Sequence, residues 1–203
     1  MSAVSTVLDF EKGQTFFGGT VPSGVTIPAG LLGKRVVALD SRYGTGRPIT
    51  MVAIKNSSGI ALLPGRVAKL KLSAPYLTEV DGYTMSPQEN GVIIDDQLPS
   101  AGVANGDIFW GIMEGPVVVS TPLQTFPTGD IAIGDLISAY TAATSQGTSA
   151  GRAIKTYAVT TNSSTELEFL VKRNYAIMGV AASAKNSTTT DGSGVLIIAR
   201  SRV

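Results

Sequence analysis

Cysteine and histidine are both missing from this chain of 203 residues. Without cysteine there is no disulfide framework and no thiolate metal site. Without histidine the Ser-His-Asp triads are excluded, and the commonest general base and metal ligand near neutral pH is lost. No Ser-x-x-Lys motif offers a lysine base instead. We therefore expect a protein that is not an enzyme, with no catalytic residue, no bound metal and no cofactor.

Charge is also scarce. Charged residues make up 15% of the chain, with 16 basic against 15 acidic side chains, where about 25% is typical. A net charge of +1 steers the chain neither to nucleic acid nor to an anionic membrane, and the aromatic interleaving of nucleic-acid platforms is absent. No apolar run approaches the roughly 20 residues that span a bilayer, and the first residues do not read as a signal peptide. We expect no nucleic-acid and no membrane partner. The Gly, Ser, Thr and Ala that replace charge suit a surface that packs against other protein.

What the chain does contain is a series of short β-type segments between glycine, proline and polar turns, and its length is within the range of one large all-β domain. The central stretch, residues 106–119, predicts two buried strands, Asp107 to Met113 and Pro116 to Ser120, that meet at a turn over residues 114–116. The core residues predicted from this stretch are Ile108, Trp110, Ile112, Val117 and Val119.

The other predicted strands cover residues 35–39, 49–55, 60–63, 67–72, 92–94, 130–133, 136–140, 153–160, 166–171, 176–182 and 195–201. Asp81-Gly82 predicts a turn between two short strands within residues 76–85. Helix and strand both stay open for residues 165–172. A glycine turn, a brief apolar strand and a second glycine turn recur at residues 23–30, 58–65 and 129–134. Their irregular spacing indicates hairpins of one small β-barrel or β-sandwich, since a solenoid needs a fixed period.

Residues 1–48 differ from the rest because glycine and proline leave few windows for a paired strand, residues 35–39 being the best. This composition fits a Gly/Pro-rich extended N-terminal arm with Phe10, Phe16 and Phe17 as apolar anchors. Ordinary loops folded onto the domain's own core are the alternative, and both remain open. The β-barrel or β-sandwich domain is expected over residues 49–203.

Basic side chains are scattered along the chain. Lys34 and Arg35 form a basic turn before a strand, since the surrounding glycines do not match a phosphate-binding loop. Alternation places Lys69 and Lys71 on one strand face, which is either a contact for an acidic partner or a solvated face. Residues 43–47, Tyr-Gly-Thr-Gly-Arg, lack the setting of a dinucleotide fingerprint and are expected to form a flexible loop.

Several segments share the order and glycine pattern of a known family. They are residues 59–67 (GIALLPGRV), 102–110 (GVANGDIFW), 114–119 (EGPVVV), 129–135 (GDIAIGD), 151–153 and 176–183. Together they resemble capsid decoration (cement) proteins of tailed bacteriophages over about residues 49–202. The resemblance implies a β module, often trimeric, that sits on the outer face of an icosahedral shell and bridges neighbouring major capsid proteins.

The same resemblance implies a place on the virion's outer capsid surface after assembly in the host cytoplasm, with the major capsid protein as partner and a homotrimer as the oligomeric state. The capsid contacts expected on this basis are Phe10, Phe16, Phe17, Lys34, Arg35, Lys69 and Lys71. A second interpretation is a carbohydrate- or host-surface-binding β module of a phage tail or fibre, which would use the polar loops 141–151 and 185–194.

Overall fold

The computed structural model describes residues 20, 22–24, 30–39, 43–73, 78–83, 91–121, 130–139, 150–155, 177–185 and 194–200. Over these residues the chain is all-β, as the sequence predicts, with ten strands and no helix. The strands are β1 (Arg35–Leu39), β2 (Pro48–Asn56), β3 (Val67–Leu70), β4 (Glu79–Tyr83), β5 (Gly91–Ile94), β6 (Ile108–Ser120), β7 (Leu136–Ala139), β8 (Ala153–Lys155), β9 (Ile177–Ala181) and β10 (Gly194–Ala199). Residues 165–172, where helix and strand were both open, lie outside the described residues.

Five of the strands close into a ring. β2 pairs with β4 in parallel, and β4–β3, β3–β5, β5–β6 and β6–β2 are antiparallel pairs that complete the circuit. β1 lies on β2 outside this ring, and β10, β9, β7 and β8 continue from the far part of β6 as a second sheet. The result is a small β-barrel with a sheet attached to it.

Strands β2 and β6 are walls shared by two hydrophobic cores. Their inward faces, including Ile54 and Phe109, fill the ring and form the barrel core with side chains of β3, β4 and β5. Their outward faces, including Met51 and Trp110, pack against β1 and the second sheet in what we call the inter-sheet core. Because side chains alternate along a strand, a shared wall must be apolar on both faces, which explains the continuous apolar runs in these two segments.

The predicted pair of strands in the central stretch is wrong, because residues 108–120 form one continuous strand, β6. The predicted turn is instead a bulge: Thr50 pairs with Glu114 and Met51 with Ile112, so Met113 is an extra residue. Gly115 follows with φ +105. An extra residue reverses the faces of the residues beyond it. Ile112 and Val117 therefore both face the inter-sheet core, although five positions separate them.

All five residues predicted from this stretch as core are buried. Ile108, Trp110, Ile112, Val117 and Val119 lie in the inter-sheet core, where the side chain of Trp110 is only 1% exposed. The bulge at Met113 makes this shared orientation possible, since a regular strand would turn Val117 and Val119 towards the opposite face.

The predicted turn at Asp81-Gly82 is also absent, since both residues lie inside β4. Ala68 pairs with Tyr83 and Leu70 with Val80, so β4 holds one residue more than β3 between these pairs. Gly82 has φ +140 at this irregularity. The Asp-Gly dipeptide thus supplies the backbone freedom of a bulge, which has the same residue preference as a turn.

Glycine turns recur, but the brief strands between them are shorter than predicted. Of residues 60–63 only Leu62 makes a β-bridge, to Val103, and of residues 130–133 only Ile131 does, to Lys185. Three turns share one form, in which the fourth residue donates to the first: Lys34 N to Leu31 O, Asp107 N to Ala104 O and Asp135 N to Ala132 O. The third residues, Gly33, Gly106 and Gly134, have φ of 78, 92 and 93, as a type II turn requires.

Part of the predicted N-terminal arm belongs to this fold. β1 pairs with β2 along its whole length, and Leu31, Val36 and Ala38 are buried in the inter-sheet core. The loop at residues 43–47 is also tied down, because the hydroxyl of Tyr43 donates to the carboxylate of Asp96. That carboxylate in turn accepts from the backbone of Val118 in β6, at 3.0 Å. Residues 31–39 are therefore integral to the β fold.

Candidate interaction surface

The four described residues among the expected capsid contacts, Lys34, Arg35, Lys69 and Lys71, are not brought together into one site. Phe10, Phe16 and Phe17 lie outside the described residues. Lys34 and Arg35 are exposed where β1 begins. Lys69 lies in β3 and Lys71 just after it, on the wall of the barrel that β1 does not touch.

The two lysines near β3 face acidic side chains of the neighbouring strand. The amino group of Lys71 donates to Glu79 at 3.2 Å, and that of Lys69 lies 3.9 Å from Asp81. Burial alone would raise the pKa of Glu79, but hydrogen bonds from Lys71 and Ser57 and the charges of Lys71 and Lys55 outweigh it and hold that pKa below its ordinary value. The described part of this barrel face therefore carries charges of both signs.

A similar ion pair, between Lys155 and Asp135, lies in the second sheet. The amino group of Lys155 in β8 lies 2.7 Å from the carboxylate of Asp135, which also accepts from the backbone of Ala132 at 2.7 Å. Burial works against the charge, but these two hydrogen bonds and the charge of Lys155 keep the pKa of Asp135 below its ordinary value. The ion pair joins β8 to the turn before β7, which is a structural role.

Among the described residues, two exposed apolar side chains lie on the same face of β1. Val37 is 53% exposed and Leu39 is 66% exposed. They pair with Thr50 and with the exposed Pro48 of β2. Together with Arg35 these residues form what we call the β1 surface, and the exposed Arg47 lies at its far end. Adjacent exposed apolar side chains of this kind often mark a contact with another protein.

β1 is apolar on its other face as well, where Val36 and Ala38 enter the inter-sheet core. One edge of β1 pairs with β2, and no strand in the described part of the chain pairs with the other edge. A strand edge of this composition is an open template for further pairing unless charge, a bulge or another segment protects it. The β1 surface and this edge are adjacent.

A second apolar row crosses the outer face of the second sheet. Leu136 of β7 is 43% exposed and pairs with Val180 of β9, which pairs with Ile198 of β10. Val180 and Ile198 are half-buried, and Ile198 pairs in turn with Pro116 of β6. The row therefore runs across β7, β9 and β10 on the face opposite to the inter-sheet core, and it ends at Pro116, which is buried.

Several other features bear on function. The buried Trp110 offers no exposed face for a sugar, and the polar loops at 141–151 and 185–194 lie largely outside the described residues. Within the described ranges no group of three or more Asp or Glu residues is placed to hold a metal ion. The same ranges contain no helix of the length and hydropathy needed to cross a membrane.

Val37 and Leu39 were not predicted from the sequence as surface residues. Their segment, Arg-Val-Val-Ala-Leu, is apolar at consecutive positions, which signals a strand with apolar residues on both faces. That pattern does not tell a strand buried on both sides from an edge strand with one exposed apolar face. The structure identifies β1 as an edge strand, because among the described strands it pairs with β2 and with no other.

Comparison with protein-family models, with curated proteins and with solved structures gives no match for this chain.

Proposed function

We propose that this chain is a decoration (cement) protein of a tailed-bacteriophage capsid, which binds the outer surface of the shell and bridges neighbouring major capsid proteins. The observation that carries the proposal is the presence of two separate apolar surfaces on one molecule. The β1 surface exposes Val37 and Leu39, and the row on the second sheet exposes Leu136. A bridging protein needs two contact surfaces held in a fixed relation, and the shared walls β2 and β6 connect them.

The proposed mechanism is thermodynamic. A protein that binds the assembled shell and not its separate subunits lowers the free energy of the shell by mass action, and so opposes internal genome pressure. Many copies on a symmetric lattice add avidity that no single contact supplies. The β1 surface would supply one contact, and the apolar row on the second sheet would contact either a second capsid subunit or another copy in a trimer.

The first experiment is quantitative mass spectrometry of purified virions of the source phage. We expect this chain in copy numbers near those of the major capsid protein. A handful of copies per virion would instead place it in the tail or at a vertex, and its absence from virions would contradict the proposal.

A binding experiment then tests the surface. Shells stripped of this chain should rebind the native protein but bind the Val37→Asp/Leu39→Asp variant at least tenfold more weakly. Leu72→Asp is the matched control, because Leu72 is 59% exposed but follows β3 and is not part of the β1 surface. Equal loss of binding for both variants would contradict a specific role of the β1 surface.

A further inference from the structure

The turn before β6 contains Asn105-Gly106, one of two Asn-Gly pairs in the sequence. In such a pair the backbone nitrogen of the glycine can attack the side-chain carbonyl carbon of the asparagine, since no Cβ on the glycine hinders the approach. The nitrogen loses its proton and bonds to Cγ, the Cγ–Nδ2 bond breaks, and ammonia leaves. Water then opens the succinimide ring to aspartate or isoaspartate. Asn105 is exposed, so water has access to it.

Both reacting groups of this pair are engaged in hydrogen bonds in the folded chain. The backbone N–H of Gly106, which has to lose its proton, donates to the backbone oxygen of Asn56 at 2.7 Å. The side-chain oxygen of Asn105 accepts from the backbone N–H of Gly59 at 2.8 Å. Both contacts come from one short stretch of chain, which we call the 56–59 segment. The attack therefore requires residues 105 and 106 to separate from this segment.

The backbone of the turn also opposes the reaction. Asp107 N donates to Ala104 O at 3.1 Å, and Gly106 has φ +92, which makes residues 104–107 a type II turn. Such a turn holds ψ of its second residue, here Asn105, near about +120°. This rotation points the glycine nitrogen away from the Cβ side, where ring closure needs it. The turn has to open before the nitrogen can reach Cγ.

We infer that Asn105 is a deamidation site that the 56–59 segment keeps closed, so that it reacts only in molecules in which this contact has opened. The rate in the folded chain is then the rate of the open form multiplied by its population. Isoaspartate adds one atom to the main chain of the turn, so the native turn cannot re-form around it. The modification therefore marks irreversibly each molecule that has opened here. This inference concerns the chain itself and does not depend on the proposed function.

Ser58 offers a way to loosen the 56–59 segment without changing residues 105 and 106. Its hydroxyl donates to the side-chain oxygen of Asn56 at 2.6 Å and lies 3.1 Å from the backbone oxygen of Ile60. Ser58→Ala removes both contacts. Since they stabilise the segment that holds Asn105 and Gly106, their loss should make local opening easier.

The first experiment uses the full-length Asn90→Gln variant, in which Asn105-Gly106 is the remaining Asn-Gly pair. The protein is kept in mildly alkaline buffer, either folded or in concentrated urea, and mass spectrometry follows deamidation in the peptide that contains residue 105. We expect the folded chain to react at least about tenfold more slowly, because two hydrogen bonds have to open first. Equal rates would overturn the proposal. A faster reaction in the folded chain would also overturn it, since the N–H of Gly59 would then stabilise the developing oxyanion.

Two further variants in the same background locate the opening, after circular dichroism has shown that each is folded. Ser58→Ala should speed deamidation of the folded chain about threefold or more. Ile197→Ala is the control, because Ile197 lies in the inter-sheet core and its truncation lowers the stability of the whole fold more than Ser58→Ala does. It should raise the rate less than Ser58→Ala. An unchanged rate in Ser58→Ala, or an equal or larger increase in Ile197→Ala, would overturn control by the 56–59 segment.

Discussion

Asn56 is a fully buried polar side chain, and both ends of its amide are hydrogen-bonded. Its amide nitrogen donates to the backbone oxygens of Ile60 at 2.8 Å and of Val103 at 2.9 Å. Its amide oxygen accepts from the backbone and hydroxyl of Ser58 at 3.1 and 2.6 Å. One fully buried side chain thus holds together the end of β2, the following turn and the bridge segment at Val103.

We expect Asn56→Asp to lower the free energy of unfolding by about 3 kcal/mol or more at pH 7, because a carboxylate would face two carbonyl oxygens without a proton to donate. Ser58→Ala, which removes one partner at a less buried position, should cost only about 1 kcal/mol. Urea denaturation measures both. The deficit of Asn56→Asp should shrink as the pH falls, since the protonated carboxyl can donate. A loss that stayed constant with pH would contradict this explanation.

Gly111 shows why β6 holds a glycine at its centre. It faces the barrel core, and a Cβ atom there would lie well inside van der Waals contact with Val92 and 3.1 Å from the side chain of Ile54. We expect Gly111→Ala to cost about 2 kcal/mol through overpacking. In a double-mutant cycle, the double variant Gly111→Ala/Val92→Ala should lose about 1 kcal/mol less unfolding free energy than the two single variants lose together. Strict additivity would show that the alanine is accommodated without touching Val92.

At the scale of the element, the bulge in β6 allows one strand to pair with β2 on one side of the bulge and with β10 beyond it. Gly115 carries it, because its φ is +105 and a Cβ atom would lie 2.5 Å from the backbone oxygen of Pro48. Gly134 provides a comparison, since its φ is +93 but no atom lies within 4 Å of its Cβ position. A side chain added at Gly134 would cause only backbone strain from the positive φ, whereas at Gly115 it would also collide with the backbone of β2.

We therefore expect Gly134→Ala to cost about 1 kcal/mol and Gly115→Ala to cost about 3 kcal/mol or to prevent folding, since a backbone collision cannot be relieved by a side-chain rotation. Thermal or urea unfolding of the two variants measures the difference. Equal losses would mean that the bulge relaxes easily and does not set the faces of β6.

The charge pair between β3 and β4 makes a pH prediction. Because the folded pKa of Glu79 lies below its ordinary value, its contribution to stability is present above that ordinary value and is lost as the pH falls through the folded pKa. Lys71→Met removes a hydrogen bond and a charge that oppose burial, so the pKa of Glu79 should rise. Lys69→Met is the control, because Lys69 faces Asp81. An NMR titration measures the pKa of Glu79 in the native protein and in both variants. We expect it to be higher in Lys71→Met than in the other two proteins, and an unchanged pKa in Lys71→Met would contradict this explanation.

The strands themselves were largely predictable, and their partners were not. The segments at β1, β2, β3, β5, β7, β9 and β10 follow from β-branched alternation and glycine boundaries, which are local properties of the chain. The bulges at Met113 and in β4 depend on which strand lies alongside, so Glu-Gly-Pro and Asp-Gly read equally well as turns. The same limit explains why the shared face of Lys69 and Lys71 was predictable but their acidic neighbours on β4 were not.

At the scale of the whole molecule, two cores divide the apolar side chains, yet β2 and β6 belong to both. A barrel that lost its packing would lose two of its walls, and these are also the walls on which β1 and the second sheet lie. We infer that the two parts cannot unfold separately and that the described fold is one cooperative unit.

The two cores allow this to be tested, because the only tryptophan reports from one of them. Val80 is fully buried in the barrel core, whereas Trp110 and Ile197 lie in the inter-sheet core. Val80→Ala should lower stability by about 2 kcal/mol and Ile197→Ala by about 3 kcal/mol. In both variants tryptophan fluorescence and far-UV circular dichroism should give the same urea midpoint, because loss of either core removes the shared walls.

The exposed Leu72→Ala should change stability by less than about 0.5 kcal/mol. If Val80→Ala produced an early step in circular dichroism while the fluorescence midpoint stayed at the native value, the barrel and the second sheet would be separate folding units, and the rigid link that a bridging protein requires would be lost.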